Sequence, residues 1–125
     1  MAKRIFISFA VEDARYRDLL VGQARNEGSP FEFVDMSAKE PWDDKWKTRC
    51  RTRIKGCDGA IALLSKNTGS ADGARLEMKC CVDEEVPILG VQVHSNDRAP
   101  VPPELKGKRV IDWSWDGISK FINGL

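Results

Sequence analysis

The sequence predicts an α/β fold of the flavodoxin-like kind, a three-layer sandwich around a five-stranded parallel sheet in the order 2-1-3-4-5. Three observations carry that expectation. Short apolar runs of strand length alternate along the chain with longer segments of helical period, which is the pattern of a sheet covered by helices on both faces. The runs at 4–9, 58–64 and 86–93 are apolar almost throughout instead of alternating, as strands buried on both faces require. Five such strands joined by right-handed crossovers within 125 residues leave room for a single domain, 1–125.

Arg4-Ile5-Phe6-Ile7-Ser8-Phe9 reads as the first strand, and residues 10–13 as a turn in which Glu12 and Asp13 favour the start of a helix. That helix runs to about Arg25, with Tyr16, Leu19, Leu20, Gln23 and Ala24 as its buried face, and Asn26-Glu27-Gly28-Ser29-Pro30 stops it. A second strand at 31–35 and a polar loop at 37–41 follow. The helix expected over 42–55 places Trp46, Cys50, Ile54 and, just beyond, Cys57 on one stripe. Its Lys45, Lys47, Arg49, Arg51, Arg53 and Lys55 occupy every second position, so they spread over a broad solvated arc; a place for some of them near a phosphate is the alternative. The third strand, 58–64, leads into a turn-forming stretch of Ser, Asn, Thr and Gly at 65–73, and then a helix at 74–85. The fourth strand, 86–93, carries Pro87 at its start, where a missing N–H is tolerated. A proline-rich loop, an edge strand at 108–113 and a helix over 115–125, with Ile118, Phe121 and Ile122 inward, complete the chain.

Twenty basic against nineteen acidic residues give a net charge of +1, which argues against a dedicated nucleic-acid binder. No apolar run approaches the roughly 20 residues of a membrane span, and Met1-Ala2-Lys3-Arg4 leads into a strand without a signal-peptide pattern. The expected location is the cytoplasm. Cys50, Cys57, Cys80 and Cys81 form no Cys-x-x-Cys pair and His94 is the sole histidine, so they read as reduced, structural thiols and no metal site is expected. The chain contains neither Gly-x-x-x-x-Gly-Lys-Ser/Thr nor Gly-x-Gly-x-x-Gly, which removes the two common nucleotide-binding loops. The third strand ends Leu63-Leu64-Ser65, without the aspartate that a phospho-accepting receiver needs. A lone histidine leaves Ser-His-Asp and Cys-His catalysis weak options.

In a sheet of this order, ligands bind beyond the carboxyl ends of the strands where the order reverses. That crevice lies between the loops after the first and third strands and is bordered by the loop after the second. It gathers Ser8, Phe9, Ala10, Asp35, Ser37, Asn67, Thr68, Ser70 and Glu77 into one neighbourhood. Glu77 stands out because Gly73, Ala74, Cys80 and Cys81, its neighbours three and four positions away, include no cation. A carboxylate flanked by small residues suits a pocket, while a surface glutamate favoured by the helix dipole is the plainer reading.

Arg4-Ile5-Phe6-Ile7-Ser8-Phe9 with Glu12-Asp13 resembles the first box of TIR domains. Phe33-Val34-Asp35-Met36-Ser37, Trp46-Lys47, Arg53-Ile54, and Asp58-Gly59-Ala60-Ile61-Ala62-Leu63-Leu64-Ser65-Lys66-Asn67-Thr68 are similar to the TIR-like branch of the ThsB proteins of bacterial Thoeris anti-phage defence. The resemblance covers about 3–93 and implies a TIR-like fold. It also implies NAD as substrate rather than cofactor, with no other cofactor: active members cleave the nicotinamide–ribose bond and release cyclic or otherwise modified ADP-ribose. By position the family's catalytic glutamate is Glu77. The family often has a tryptophan about four residues earlier, where this chain has Gly73. The resemblance further implies self-association or docking on activation, with the loop 35–41 completing a neighbour's pocket, and a downstream defence effector that senses the product. A non-catalytic TIR-like interaction module stays open beside the enzyme.

Overall fold

A sheet buried on both faces is built in the computed structural model, which describes residues 3–29, 31–36 and 39–125. Its strands are β1 (Arg4–Ser8), β2 (Glu32–Val34), β3 (Gly59–Leu64), β4 (Ile88–Gln92) and β5 (Val110–Asp112). All pairings are parallel and the order is β2-β1-β3-β4-β5, as the alternating pattern predicts. The helices are α1 (Ala14–Asn26), α2 (Asp44–Lys55), α3 (Asp72–Asp83) and α4 (Trp115–Asn123).

The pleat sorts each strand's side chains by parity. From β1 and β3, Phe6, Ala60, Ala62 and Leu64 meet Trp46, Cys50 and Ile54 of α2 and Met78 and Cys81 of α3. Ile5, Ile7, Ile61 and Leu63 point to the other face, against Leu20 of α1 and Ile118 and Ile122 of α4. The apolar runs of β1, β3 and β4 are continuous because both faces are covered.

Several boundaries differ from expectation for local reasons. Helix α2 begins at Asp44, not Trp42, because the Asp43 side chain accepts from the Lys45 amide at 2.8 Å and fixes the cap there. Trp42 is left outside the helix and 76% exposed. In α1, Leu20 and Ala24 are buried but Leu19 is 60% exposed, so the apolar face is narrower than the sequence suggests. In α4, Ile118 and Ile122 are buried and Phe121 only partly so. Single 3-10 turns occupy Val11–Asp13, Thr68–Ser70 and Pro103–Leu105, the last within the stretch expected to be irregular.

Helix α3 starts two residues early, placing Asp72 in its first turn and Gly73 inside it. It ends with Glu85 in the left-handed region (φ 57°) while Val86 N–H donates to the Cys81 carbonyl at 2.9 Å, a Schellman-type stop made without glycine.

Candidate active site

Ser8 ends β1 on the face that looks toward α3, and the next residue, Phe9, belongs to the opposite face. The Ser8 hydroxyl lies 3.0 Å from Glu77 Oε1 and 3.0 Å from the Ala74 carbonyl, so one proton serves two acceptors. Glu77, in the second turn of α3, is fully buried. A surface position for it is therefore excluded, and it requires compensation that its own helix does not provide.

The compensation comes from Lys39, on the segment between β2 and α2. Its ammonium donates to Glu77 Oε2 at 2.7 Å, and its side chain is only 5% exposed. The same nitrogen stands 4.1 Å from the centre of the Phe9 ring, within cation–π range. Gly73 makes the approach possible: a Cβ there would lie 2.8 Å from the Cβ of Lys39.

Burial pushes the Glu77 carboxyl up to about 7, against the opposing pull of Lys39 and the Ser8 hydroxyl. Desolvation wins because no exposed face of the carboxylate remains to be hydrated. Glu77 thus exchanges its proton near neutrality, which suits a group that must carry charge only at a particular moment.

Above the pair opens a cleft of about 230 Å³ lined by Ala10, Lys39, Trp42, Asp72 and Gly73 among others. Glu77 itself does not line it; Lys39 stands between. A ligand entering here meets the lysine before the carboxylate.

The structure brings Ser8, Phe9, Ala10 and Glu77 together around Lys39 and this cleft. Asp35 turns to Arg17 at 2.8 Å, and its backbone carbonyl accepts from Arg53 at 2.7 Å. Asn67 donates to Asp13 at 3.1 Å, joined there by the Ser65 hydroxyl. Thr68 is buried and accepts from the Ser65 amide at 2.9 Å, while Ser70 is exposed and faces the Asn67 carbonyl. The hydrogen bonds of these three residues run within the loop after β3 and to the buried Asp13 instead of to Glu77. Ser37 lies outside the described residues.

Sequence reasoning missed Lys39 and misplaced Trp42. The signal for the lysine was present in part: a glutamate with no cation on its own helix face, beside a glycine that leaves room for a side chain from elsewhere. Cys50, on the α2 side, is pushed up to about 12 mainly by burial and remains a thiol. Among the described residues no group of His, Cys, Asp and Glu is arranged to hold a metal, and no helix is long and apolar enough to cross a membrane.

Residues 6–98 match the family model described as "Thoeris protein ThsB, TIR-like domain". The TIR domain of the Toll-related receptor TRR-2 from Hydra magnipapillata superposes with a TM-score of 0.65 at 16% identity, covering 96% of this chain and 91% of that one. A prokaryotic SEFIR domain gives 0.57 at 15% identity, covering 98% and 89%. A de novo designed Rossmann 2x3 protein gives 0.55 at 13%, covering 99% and 91%, so the backbone likeness speaks to fold alone. None of the curated proteins matches the chain.

Proposed function

Because the chain belongs to the family of the Thoeris protein ThsB, TIR-like domain, we propose that it is a single-domain NAD-cleaving enzyme of bacterial anti-phage defence. It breaks the nicotinamide–ribose bond and makes a cyclic or otherwise modified ADP-ribose signal. The observation that carries this reading is the buried Glu77 carboxylate, held by Ser8 and pushed up to about 7, behind a cleft at the carboxyl end of β1.

Cleavage of a glycosidic bond develops positive charge on the sugar, and a carboxylate held in a dry site stabilises that charge strongly. Nicotinamide leaves as a neutral molecule from a cationic ring, so one carboxylate suffices without a strong acid. Ser8 fixes the rotamer of Glu77 through Oε1 and leaves Oε2 to Lys39. For catalysis the substrate's charge takes the place of the lysine's. NAD serves as substrate with no further cofactor, and the setting is the cytoplasm. Self-association is proposed to move the Lys39 segment, with the loop 35–41 reaching a neighbouring copy. The product acts on a downstream nucleotide-sensing defence effector.

Incubation with NAD, with nicotinamide release followed by chromatography at low and high protein concentration, tests the reading. Release that disappears in Glu77→Gln supports it; no release under either condition rejects it. The second reading, a non-catalytic interaction module, draws on the sealing of Glu77 by Lys39 and on Gly73 where the family often carries tryptophan.

A further inference from the structure

The cleft over Lys39 has an acidic and aromatic rim whose composition selects among ligands. Trp42 lines it and is 76% exposed, the most exposed large apolar side chain among the described residues. Its indole presents an open aromatic face on which a planar cation can stack. Glu12 and Asp72 line the same cleft and both are exposed. Lys39, the cleft's one basic side chain, has its charge committed to Glu77 at 2.7 Å. While Lys39 stays paired with Glu77, phosphates find no free cation among the described lining residues, whereas a planar cation finds an aromatic face and two carboxylates. The cleft, about 230 Å³ and open to solvent, has room for one planar ring.

We infer that Trp42 is the ring-binding residue of this cleft and that, with Glu12 and Asp72, it selects a positively charged planar ring. This rests on the reading of the cleft as the way to Glu77, and it assigns the pyridinium end of the substrate to the rim, with adenine and phosphates outside. It also assigns to the segment before α2 the aromatic surface that α3 lacks at Gly73.

The test uses three probes on the full chain: 1-methylnicotinamide, which carries the charged ring without a glycosidic bond; neutral nicotinamide; and adenosine monophosphate. Binding is followed by tryptophan fluorescence and by calorimetry. Trp42 is exposed, so Trp42→Ala and Trp42→Phe are expected to fold, and melting curves check this. The expected result is quenching by 1-methylnicotinamide, with nicotinamide and adenosine monophosphate weaker by about twofold to fivefold. Trp42→Ala loses about the same factor and Trp42→Phe recovers most of it. Equal binding by wild type and Trp42→Ala overturns the inference. So does adenosine monophosphate or nicotinamide binding as well as the charged ring, or Trp42→Ala dissociating a dimer with probe binding unchanged. Because 1-methylnicotinamide has no bond to cleave, the result does not depend on NAD cleavage. The expected pattern without NAD cleavage keeps the inference and rejects the reaction. Cleavage with an unchanged KM in Trp42→Ala does the reverse.

Discussion

Gly73 and Lys39 are packed so closely that α3 has no room there for a methyl group: a Cβ on Gly73 would stand 2.8 Å from the Cβ of Lys39. The glycine of one element therefore sets the path of the other's side chain to Glu77. Gly73→Ala favours the helix intrinsically but forces the lysine aside. The expected outcome is a weakened Lys39–Glu77 pair, seen as a higher Glu77 pKa by carboxyl NMR titration. An unchanged titration would mean that the lysine adjusts without leaving.

Glu77→Gln keeps size and hydrogen-bonding capacity and removes the charge. NAD cleavage is expected to fall on the order of a hundredfold or more. The substitution leaves the Lys39 ammonium without its counter-charge but also removes the cost of burying the carboxylate's own charge, so the loss of folding stability is expected to be smaller than the about 3–5 kcal/mol of a broken buried ion pair. The double variant Glu77→Gln/Lys39→Met removes the unpaired ammonium as well and does not recover activity. Chemical denaturation and nicotinamide release, measured on all three proteins, separate the two effects. An active Glu77→Gln protein would move the chemistry to another carboxylate, with Asp35 the next to test.

The raised carboxyl of Glu77 fixes the sign of a pH effect. A group whose pKa is higher in the folded chain adds stability that is complete below its unfolded value and is lost as pH rises through the folded one. The melting temperature is therefore expected to decline as pH climbs from 4.5 through about 7, and Glu77→Gln should remove that component. Activity runs the other way, rising as the carboxylate forms. In Lys39→Met the lowering influence of the ammonium is gone, so the rise in kcat/KM moves to pH above 7. A pH–rate profile that superposes on wild type would separate Glu77 from the rate.

Glu85 holds a left-handed conformation (φ 57°) at the far end of α3 from the cleft. Glycine adopts that conformation without strain, so Glu85→Gly is expected to stabilise the fold by about 1 kcal/mol. NAD cleavage should not change. Unfolding by denaturant checks the first statement and the cleavage assay the second.

The sheet was legible because its signal is local: Ile5, Phe6 and Ile7, or Ile61, Ala62 and Leu63, announce a strand by neighbouring residues alone. The ends of elements were less so, since they depend on caps such as Asp43, whose side chain starts α2 two residues later than its apolar pattern suggests. Glu77 was legible as a carboxylate out of place on its helix. Lys39 was not, because it lies 38 positions away on a segment with no period to read. Asn67 was placed near Glu77 by topology, yet Asp13 offered it a nearer acceptor. Topology fixes which loops meet, and hydrogen-bond competition then decides which side chains do.

Helix α3 is held unequally along its flanks. On one side Arg75 grips Glu104 through two nitrogens, at 3.1 and 3.0 Å, and the adjoining Leu105 is fully buried. That region is tethered to β4, since the buried Gln92 amide exchanges hydrogen bonds of 2.9 Å with both backbone groups of Ala99. On the other side stands the side chain of Lys39, which pairs with Glu77, lies over the Phe9 ring and packs against Gly73. Glu77 is therefore carried by a helix anchored on the flank away from Lys39, and removing the lysine side chain leaves that anchorage intact.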